Sequence, residues 1–401
     1  MFPRYGWRSI NALILFLGGN ALLYNSILFL YRRRIKRIGM PKKICVLADV
    51  NIGDAIAMQG AISALRDFFP HTRLDYVIGR SSLPLIINNP SITHIYPLYT
   101  TAPFPSKENT RAISQLIQEN NYDLIIHMSP FLSSKDIPTH IGFLGLAFFM
   151  LYQRAHKKQV HLSSSVYLFI STVLETLYTS SQKTSQKHPS LFLSKKSLLE
   201  AENILTTHTY QSPLIFFNGE TISPYTRIPL TIQQTLIQEL LDLPCSLLIP
   251  FHNNTDTIKN YIKTLPHKKQ RKCIFLPVPM DLDVYAALMD KSDLVITGDT
   301  GPLHIAAAYK QSTDTSYSFR NSTAVCSLFG ATDSSMYGYD SSRPLHTPTA
   351  QRAPSWVYTG SRRYRTLAHI NKNSIYGDPA LFFSDISPKT IISDIRSYLQ
   401  I

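Results

Sequence analysis

From residue 42 onward, short apolar runs alternate with longer segments that are apolar on one side only. "KKICVLADV" (42–50) holds the unbroken apolar run "ICVLA", the pattern of a buried strand. "NIGDAIAMQGAISALRDFF" (51–69) opens as a polar loop and continues as an amphipathic helix that Pro70 stops. "LDYVIG" and "HIYPLY" predict further strands, as does "YDLIIHMS" after a helix around Ala112–Asn121. The pattern is less regular from about Phe131 to Leu199. There "IGFLGLAFFMLY" is too short to cross a bilayer, a helix is expected near Val166–Tyr178, and "TSSQKTSQKHPS" reads as a link. A second series starts at "PLIFFNGE". It runs through a helix at Ile232–Leu241, "CSLLIPF", "KCIFLPV", a helix at Asp283–Lys291, "DLVIT", and, past a helix opened by Pro302, "TAVCSLFG". Strands alternating with helices predict parallel sheets. The chain therefore reads as two doubly wound α/β halves with a crevice between them, without an internal repeat.

The first forty residues do not fit that pattern. "INALILFLGGNALLYNSILFLY" (Ile10–Tyr31) carries no charge over 22 residues, about the length of a bilayer core. It reads as a membrane anchor, either spanning or lying in the interface, since Asn11, Asn20 and Asn25 weaken a span. Residues 1–40 hold Arg4, Arg8, Arg32, Arg33, Arg34, Lys36 and Arg37 and no acid, which is half of the chain's +14. Basic charge after an apolar run favours an anionic membrane surface over nucleic acid, and by the positive-inside rule places the rest of the chain in the cytoplasm. A hydrophobic content of 44% with 16% charged residues excludes a disordered chain. Cys45, Cys245, Cys273 and Cys326 form no CxxC pair, so buried reduced thiols are expected, not a metal site or disulfides.

Two stretches carry candidate chemistry. "VITGDTGPLHIAAA" (Val295–Ala308) ends a strand and opens a helix. Ligands of parallel sheets bind beyond the carboxyl ends of strands. Gly298 and Gly301 allow positive φ and close backbone approach, and Pro302 suits the first helical position. The helix would then point free amides at an anion. Thr300 could donate a hydroxyl and His304 an imidazole hydrogen, while Asp299 would fix the loop by accepting backbone hydrogens. A capped helix with an incidental histidine is the plain alternative. In the second stretch, Asp54 stands at a helix start, where it either caps the helix or serves as a general base.

Together the two stretches resemble glycosyltransferase family 9, the lipopolysaccharide heptosyltransferases. That family carries an Ile-Gly-Asp loop after its first strand and a late Asp-Thr-Gly-Pro-x-His-x-x-Ala stretch. Here they read "NIGDAIAMQGAISALR" and "GDTGPLHIAAA". "RLDYVIG", "IGF" (Ile141–Phe143), "SLFGATD" (Ser327–Asp333) and "ISPKTIISDIRSYL" stand in family order, so the likeness runs from Lys42 to the end. It implies a GT-B fold that follows the anchor and basic flank of residues 1–40, with 41–212 binding the acceptor and 213–401 the nucleotide-sugar. It also implies inverting, metal-independent transfer of a heptose from ADP-heptose to a lipopolysaccharide core or related glycolipid, at the cytoplasmic face of the inner membrane. No cofactor, nucleic acid or obligate protein partner is implied. Asp54 would be the base, with Asn51 and Gly53 beside the acceptor. Gly219, Asp299, Thr300, Gly301, Pro302 and His304 would hold the donor.

The chain departs from the family pattern in places. Where the family usually has a lysine before a Trp-Pro, "YTRIPL" has Thr226, with Arg227 beside it as the candidate phosphate cation. "IPFHNNTD" lacks the usual ribose-binding acid, with Asp256 late in the loop, and "QSTDTSYSFRNST" is an insertion. Lys157 and Lys158 either meet acceptor phosphates or form a plain surface patch. "DLD" (Asp281–Asp283) is expected to start a helix and not to bind metal, and "SWVYTGSRRYR" suits lipid or sugar contact or a surface loop. The rival function is a non-catalytic, membrane-anchored relative that binds or assembles.

Overall fold

A computed structural model describes residues 21–48, 51–98, 107–128, 137, 140–142, 161–174, 188–221, 223–250, 255–276, 280–312, 317–341, 353–361 and 379–401. The chain forms two units, Met1–Pro189 and Ser190–Ile401.

In the first unit, β1 (Lys43–Ala48), β2 (Arg73–Gly79), β3 (His94–Leu98), β4 (Leu124–His127) and β5 (Ile141–Gly142) form a parallel sheet in the order β3-β2-β1-β4-β5. The central strands β1 and β4 are buried on both faces, which is why they read as apolar runs and not as alternating patterns. Cys45, Leu47, Val77 and Ile125 pack against Ile113 and Ile117 of α4 (Lys107–Asn120). Ahead of α4 lie α1 (Ala21–Ile38), α2 (Ile52–Ala57) and α3 (Gln59–Phe68); α5 (Leu162–Leu174) comes after it and packs on α3 and α1.

The expected spanning anchor is corrected here. No helix among the described residues is long and apolar enough to cross a membrane. α1 runs without a break from its apolar part into "RRRIKRI". Leu28 and Ile35, two turns apart, are buried, and Arg32 between them donates from Nε and Nη2 to the Thr172 carbonyl of α5 (3.4 and 3.2 Å). Burying each of those two side chains contributes roughly 1.5–3 kcal/mol. The described half of Ile10–Tyr31 is thus part of an amphipathic helix docked on its own unit.

In the second unit the sheet order is β13-β12-β10-β7-β8-β9, all parallel. Its strands are β7 (Leu214–Asn218), β8 (Ser246–Ile249), β9 (Cys273–Phe275), β10 (Leu294–Gly298), β12 (Ala324–Phe329) and β13 (Ser355–Thr359), with α8 (Thr255–Lys263) between β8 and β9. Ile215, Phe217, Ile296 and Leu328 pack with Leu236 and Leu240 of α7 (Leu230–Asp242) and Ile391 and Ile395 of α11 (Pro388–Leu399). The expected boundary at 212/213 moves to 189/190. β6 (Ser190–Leu193) pairs with β11 (Tyr309–Ser312), and α6 (Lys195–Thr206) packs on α9 (Leu282–Lys291). "SWVYT" is a sheet strand, β13, and not a loop. Asp281 stands at the N-cap position of α9 without a side-chain capping bond and Asp283 accepts from Ser194 Oγ, so "DLD" begins a helix. All four cysteines are free. Burial pushes the Cys245 and Cys273 thiols up to about 11 and about 12.

Candidate functional site

Both sheets reverse direction of growth once. In the first unit β4 lies beside β1, and in the second β10 lies beside β7. Ligands of open parallel sheets bind outside the carboxyl ends of strands at such reversals. "NIGD" comes after β1, "GETISPYTRIP" after β7 and "DTGP" after β10, so the motifs flank these two points.

In the second unit three loops meet at this edge. Buried Asn218, ending β7, donates through Nδ2 to Thr297 Oγ1 of β10 (3.3 Å) and to the Glu220 carbonyl (3.1 Å). The loop 219–228 closes on itself, with the Ile228 amide donating to the Gly219 carbonyl (3.1 Å). Buried Gln233 Nε2 donates to the Ile228 carbonyl (2.8 Å) and to Glu220 Oε1 (3.1 Å). A Cβ on Gly219 would lie 2.2 Å from the Gln233 side chain, so glycine is what permits this clasp. The same loop lies across the ends of β10 and β12. A Cβ on Gly298 would come within 2.8 Å of the Thr226 carbonyl, and the Ala331 amide donates to the Tyr225 carbonyl (3.3 Å). Arg227 reaches Glu220 Oε2 from Nε (3.1 Å) and donates from Nη2 to the Thr221 carbonyl (3.1 Å).

Beyond β10, Thr300 is the N-cap of α10 (Gly301–Ala307), with an extended backbone and no side-chain capping bond, and Pro302 is the second helical residue. Gly298 and Gly301 do not adopt positive φ; among the described glycines only Gly39 does. The need at Gly298 is for space. Burial pushes the half-buried Asp299 carboxyl up to about 6, and the Thr332 hydroxyl beside it offsets this only in part. The expected backbone hydrogen bonds to Asp299 are not found among the described residues; the Thr332 hydroxyl lies beside it without forming a hydrogen bond there. His304 is buried, its Nδ1 shares a 3.0 Å hydrogen bond with the Tyr339 hydroxyl, and the two rings meet edge to face. At the far end of α10, buried Lys310 donates from Nζ to the Ala306 and Ala308 carbonyls, and burial pushes its ammonium down to about 8.

In the first unit Asn51, exposed, is the N-cap of α2, and half-buried Asp54 sits in its first turn, so Asp54 is not the cap itself. Gly53 precedes it, half-buried. His127 ends β4 next to β1. It is buried, its imidazole is pushed down to about 4 by burial, and its Nε2 has no hydrogen-bond partner among the described residues. Lys157 and Lys158 lie outside the described residues, as does the side chain of Asp256.

The structure thus gathers Gly219, Arg227, Asp299, Thr300, Gly301, Pro302 and His304 at the carboxyl edge of the second sheet, and adds Glu220, Gln233, Thr332 and Tyr339. Gln233 and Tyr339 reach their partners across 13 and 35 residues and leave no local motif. Among the described residues no group of His, Cys, Asp and Glu has metal-site geometry.

The topology and the position of these loops define a GT-B-like α/β protein. The fold matches the glycosyl transferase family 9 structure from Veillonella parvula (TM-score 0.64, 18% identity, 90% of this chain and 97% of that one). It also matches Escherichia coli ADP-heptose lps heptosyltransferase II (TM-score 0.60, 17%, 89% and 98%). An E. coli heptosyltransferase solved with ADP-2-deoxy-2-fluoro heptose matches at TM-score 0.55 and 16% identity, over 88% of this chain and 99% of that one. Residues 110–336, more than half of the chain, match glycosyltransferase family 9 (heptosyltransferase), and the chain belongs to that family. Asp54 lies ahead of the matched span. Over 79 residues the chain is 25% identical to lipopolysaccharide heptosyltransferase 3 of E. coli, a match that spans 19% of this chain and 23% of that protein.

Proposed function

We propose that the protein transfers a heptose from ADP-heptose to a lipopolysaccharide core or related glycolipid, with inversion and without a metal. The observation that carries this reading is the convergence of three loops at the strand reversal of the second sheet. A cation, Arg227, a cap hydroxyl, Thr300, and the amino end of α10 stand there together. Such groups favour a diphosphate. Family membership and the ADP-heptose analogue bound by a structural relative support the choice of donor.

In the reaction the acceptor hydroxyl attacks the anomeric carbon, the bond from that carbon to the diphosphate oxygen breaks, and ADP departs. Asp54 takes the hydroxyl proton. Arg227, Thr300 and His304 stabilise the charge that develops on the leaving diphosphate, which is the part a metal would otherwise play. Gly219 and Gly301 let backbone approach the donor, Pro302 starts the helix and Asp299 shapes the loop. Asn51 and Gly53 lie on the acceptor side.

The acceptor is a membrane lipid, and we place the enzyme at the cytoplasmic face of the cell membrane. On α1, Phe29 and Leu30 are 62% and 63% exposed and Arg33, Arg34 and Arg37 lie on the same helix. That combination suits attachment by one helix face to anionic lipid, each arginine near the surface adding about 1 kcal/mol.

The test is incubation of purified protein with ADP-heptose, other nucleotide-sugars and deacylated lipopolysaccharide, with and without EDTA. The expected result is ADP release and an acceptor heavier by one heptose, both insensitive to EDTA. Binding of ADP with no transfer to any acceptor would favour the non-catalytic rival.

A further inference from the structure

We propose that the second unit carries a basic face, formed by Lys263, Lys268 and Arg271, that docks on an anionic lipid surface. The proposal stands apart from the transfer reaction, because lipid binding can be read without donor or acceptor. Residues 257–280 hold six lysines and arginines and no acid, against seven in residues 1–40. All six fall within Lys259–Lys272. Like charges at such spacing repel, so other bonds have to hold the segment in shape.

Three of the six turn inward and supply that hold. Lys269 pairs with Asp242 at the end of α7 (2.7 Å), and Lys272 donates from Nζ to the Leu241 and Leu243 carbonyls (2.9 and 2.6 Å). Lys259 lies over the Phe275 ring, 5.7 Å from its centre. Gln270 Nε2 donates to the Lys263 and Leu265 carbonyls (3.0 and 2.7 Å), which ties the turn 266–272 to the end of α8. The other three, Lys263, Lys268 and Arg271, are exposed, with His267 exposed beside them. Their side chains make no hydrogen bond or ion pair among the described residues. The acids of the two helices packed here are Glu239 and Asp242 of α7 and Asp256 of α8. Asp242 is taken by Lys269, and Asp256 lies at the opposite end of α8 from Lys263, which leaves Glu239 against three exposed cations.

Such a face fits lipid better than nucleic acid. Single-stranded bases stack on aromatic platforms, and both aromatics of the segment, Tyr261 and Phe275, are packed against the core of the unit. An anionic lipid surface asks only for several exposed cations close together. The placement suits it too. The Leu247 amide of β8 donates to the Lys272 carbonyl, and β9 starts at Cys273, so the face lies at the amino ends of these strands. The loops of the proposed donor site are at the carboxyl edge of the same sheet, so lipid bound at the basic face leaves them clear. α1 presents its arginines on the first unit, and this face is a second attachment on the other unit.

The experiment measures binding of the full chain to vesicles of phosphatidylcholine and of an equal mixture of phosphatidylcholine and phosphatidylglycerol, with melting temperature and ADP affinity alongside. The triple variant Lys263→Gln/Lys268→Gln/Arg271→Gln should bind the mixed vesicles roughly a hundredfold more weakly, from about fivefold per basic residue. Melting temperature, ADP affinity and any binding to phosphatidylcholine alone should be kept. Lys263→Arg/Lys268→Arg/Arg271→Lys, which keeps the charge, should bind as the parent does. Arg33→Gln/Arg34→Gln/Arg37→Gln removes the arginines of α1 and should leave the protein on mixed vesicles, from which adding the triple change releases it. Raised salt should weaken that remaining binding. Parental binding by the triple variant in both backgrounds, an equal loss on phosphatidylcholine alone, or the same loss in the charge-keeping variant would each overturn the proposal. A single-stranded RNA that the parent binds more tightly than mixed vesicles, and the triple variant releases, would overturn it in favour of nucleic acid.

Discussion

The two sheets have the same strand-reversal topology, and two of their polar clusters, one in each unit, are closed to different degrees. In the first unit the dense polar cluster lies at the amino ends of the strands, around Asp75. That carboxylate is fully buried and accepts from Arg73, Tyr122 and His94, while Arg73 also reaches Tyr96 and Asn120. In the second unit the cluster to compare lies at the carboxyl ends, where Glu220, Arg227, Asp299 and Thr300 stay partly exposed, apart from the network of Asp290, Asp293, Arg320 and Asn321 at the amino ends. The first cluster is closed, every oxygen of its carboxylate used within the protein. The second is tied by Gln233, Asn218 and Tyr339, while its charged members keep part of their surface exposed. A buried polar network with all bonds made serves stability, whereas one held on one side is arranged to receive a ligand.

If that contrast is right, substitutions at the two ends should separate chemistry from stability. The largest effect is expected at the carboxyl edge of the first unit, in Asp54→Asn. Asparagine is uncharged and cannot take the acceptor proton, so turnover should fall roughly 10²–10⁴-fold while melting temperature and ADP affinity are kept. A rate near parental at saturating donor and acceptor would take the base out of the mechanism.

Next comes Asp75→Ala at the closed cluster. Removing one partner of a buried pair costs about 3 kcal/mol or more, and the partial exposure of Arg73 puts this case at the low end. Turnover per folded molecule should not change. The effect has a pH signature. Burial alone would raise the Asp75 carboxyl, but hydrogen bonds from Arg73, Tyr122 and His94 outweigh it and hold the group below the usual aspartate range. Its stabilisation is therefore full above the unfolded value of about 4 and fades as pH falls through the lower folded value. Urea unfolding of the parent and the variant should converge in acid. A gap between them that is constant from about pH 7 to about pH 3 would contradict the assignment.

His304→Ala, at the open cluster, is expected to weaken ADP binding about tenfold by loss of one charge-assisted hydrogen bond and to slow turnover. Unchanged ADP affinity in the folded variant would make the His304–Tyr339 pair part of the closed kind.

The smallest effect belongs to Asp299. Its folded value of about 6 is above that of the unfolded chain, so its contribution to stability is full below about 4 and is lost as pH rises through 6. Ionisation also sets a negative charge beside the donor's phosphates. ADP affinity should decline severalfold as pH rises past about 6 in the parent and stay flatter in Asp299→Asn, as titration calorimetry at a series of pH values would show.

Much of this organisation is visible in the sequence, and its limits have physical causes. Apolar runs such as "CVLA" and "LVIT" are strands because both faces of a parallel sheet are covered, and "GDTGPLH" marks its place by interrupting one of them. α1 misleads because the uncharged run of Ile10–Tyr31 matches a span, whereas the spacing of Leu28, Arg32 and Ile35 on one face continues into the basic segment. β13 is hidden by its edge position, where "SWVYT" needs little apolar character. Tyr339 pairs with a histidine 35 residues away, and Gln233 reaches Glu220 only because Gly219 has no side chain. Contacts of that kind arise from tertiary packing and leave no period to read.

The claim at the centre of this account is that the loops beyond β7, β10 and β12 form one diphosphate site. Amide hydrogen exchange of the purified protein with and without saturating ADP tests it most directly. Slowed exchange is predicted in three segments at once, 219–228, 298–304 and 330–332, with the amides around Asp75 unchanged. Protection confined to other segments, or the same exchange with and without ADP at a concentration shown to bind, would contradict it.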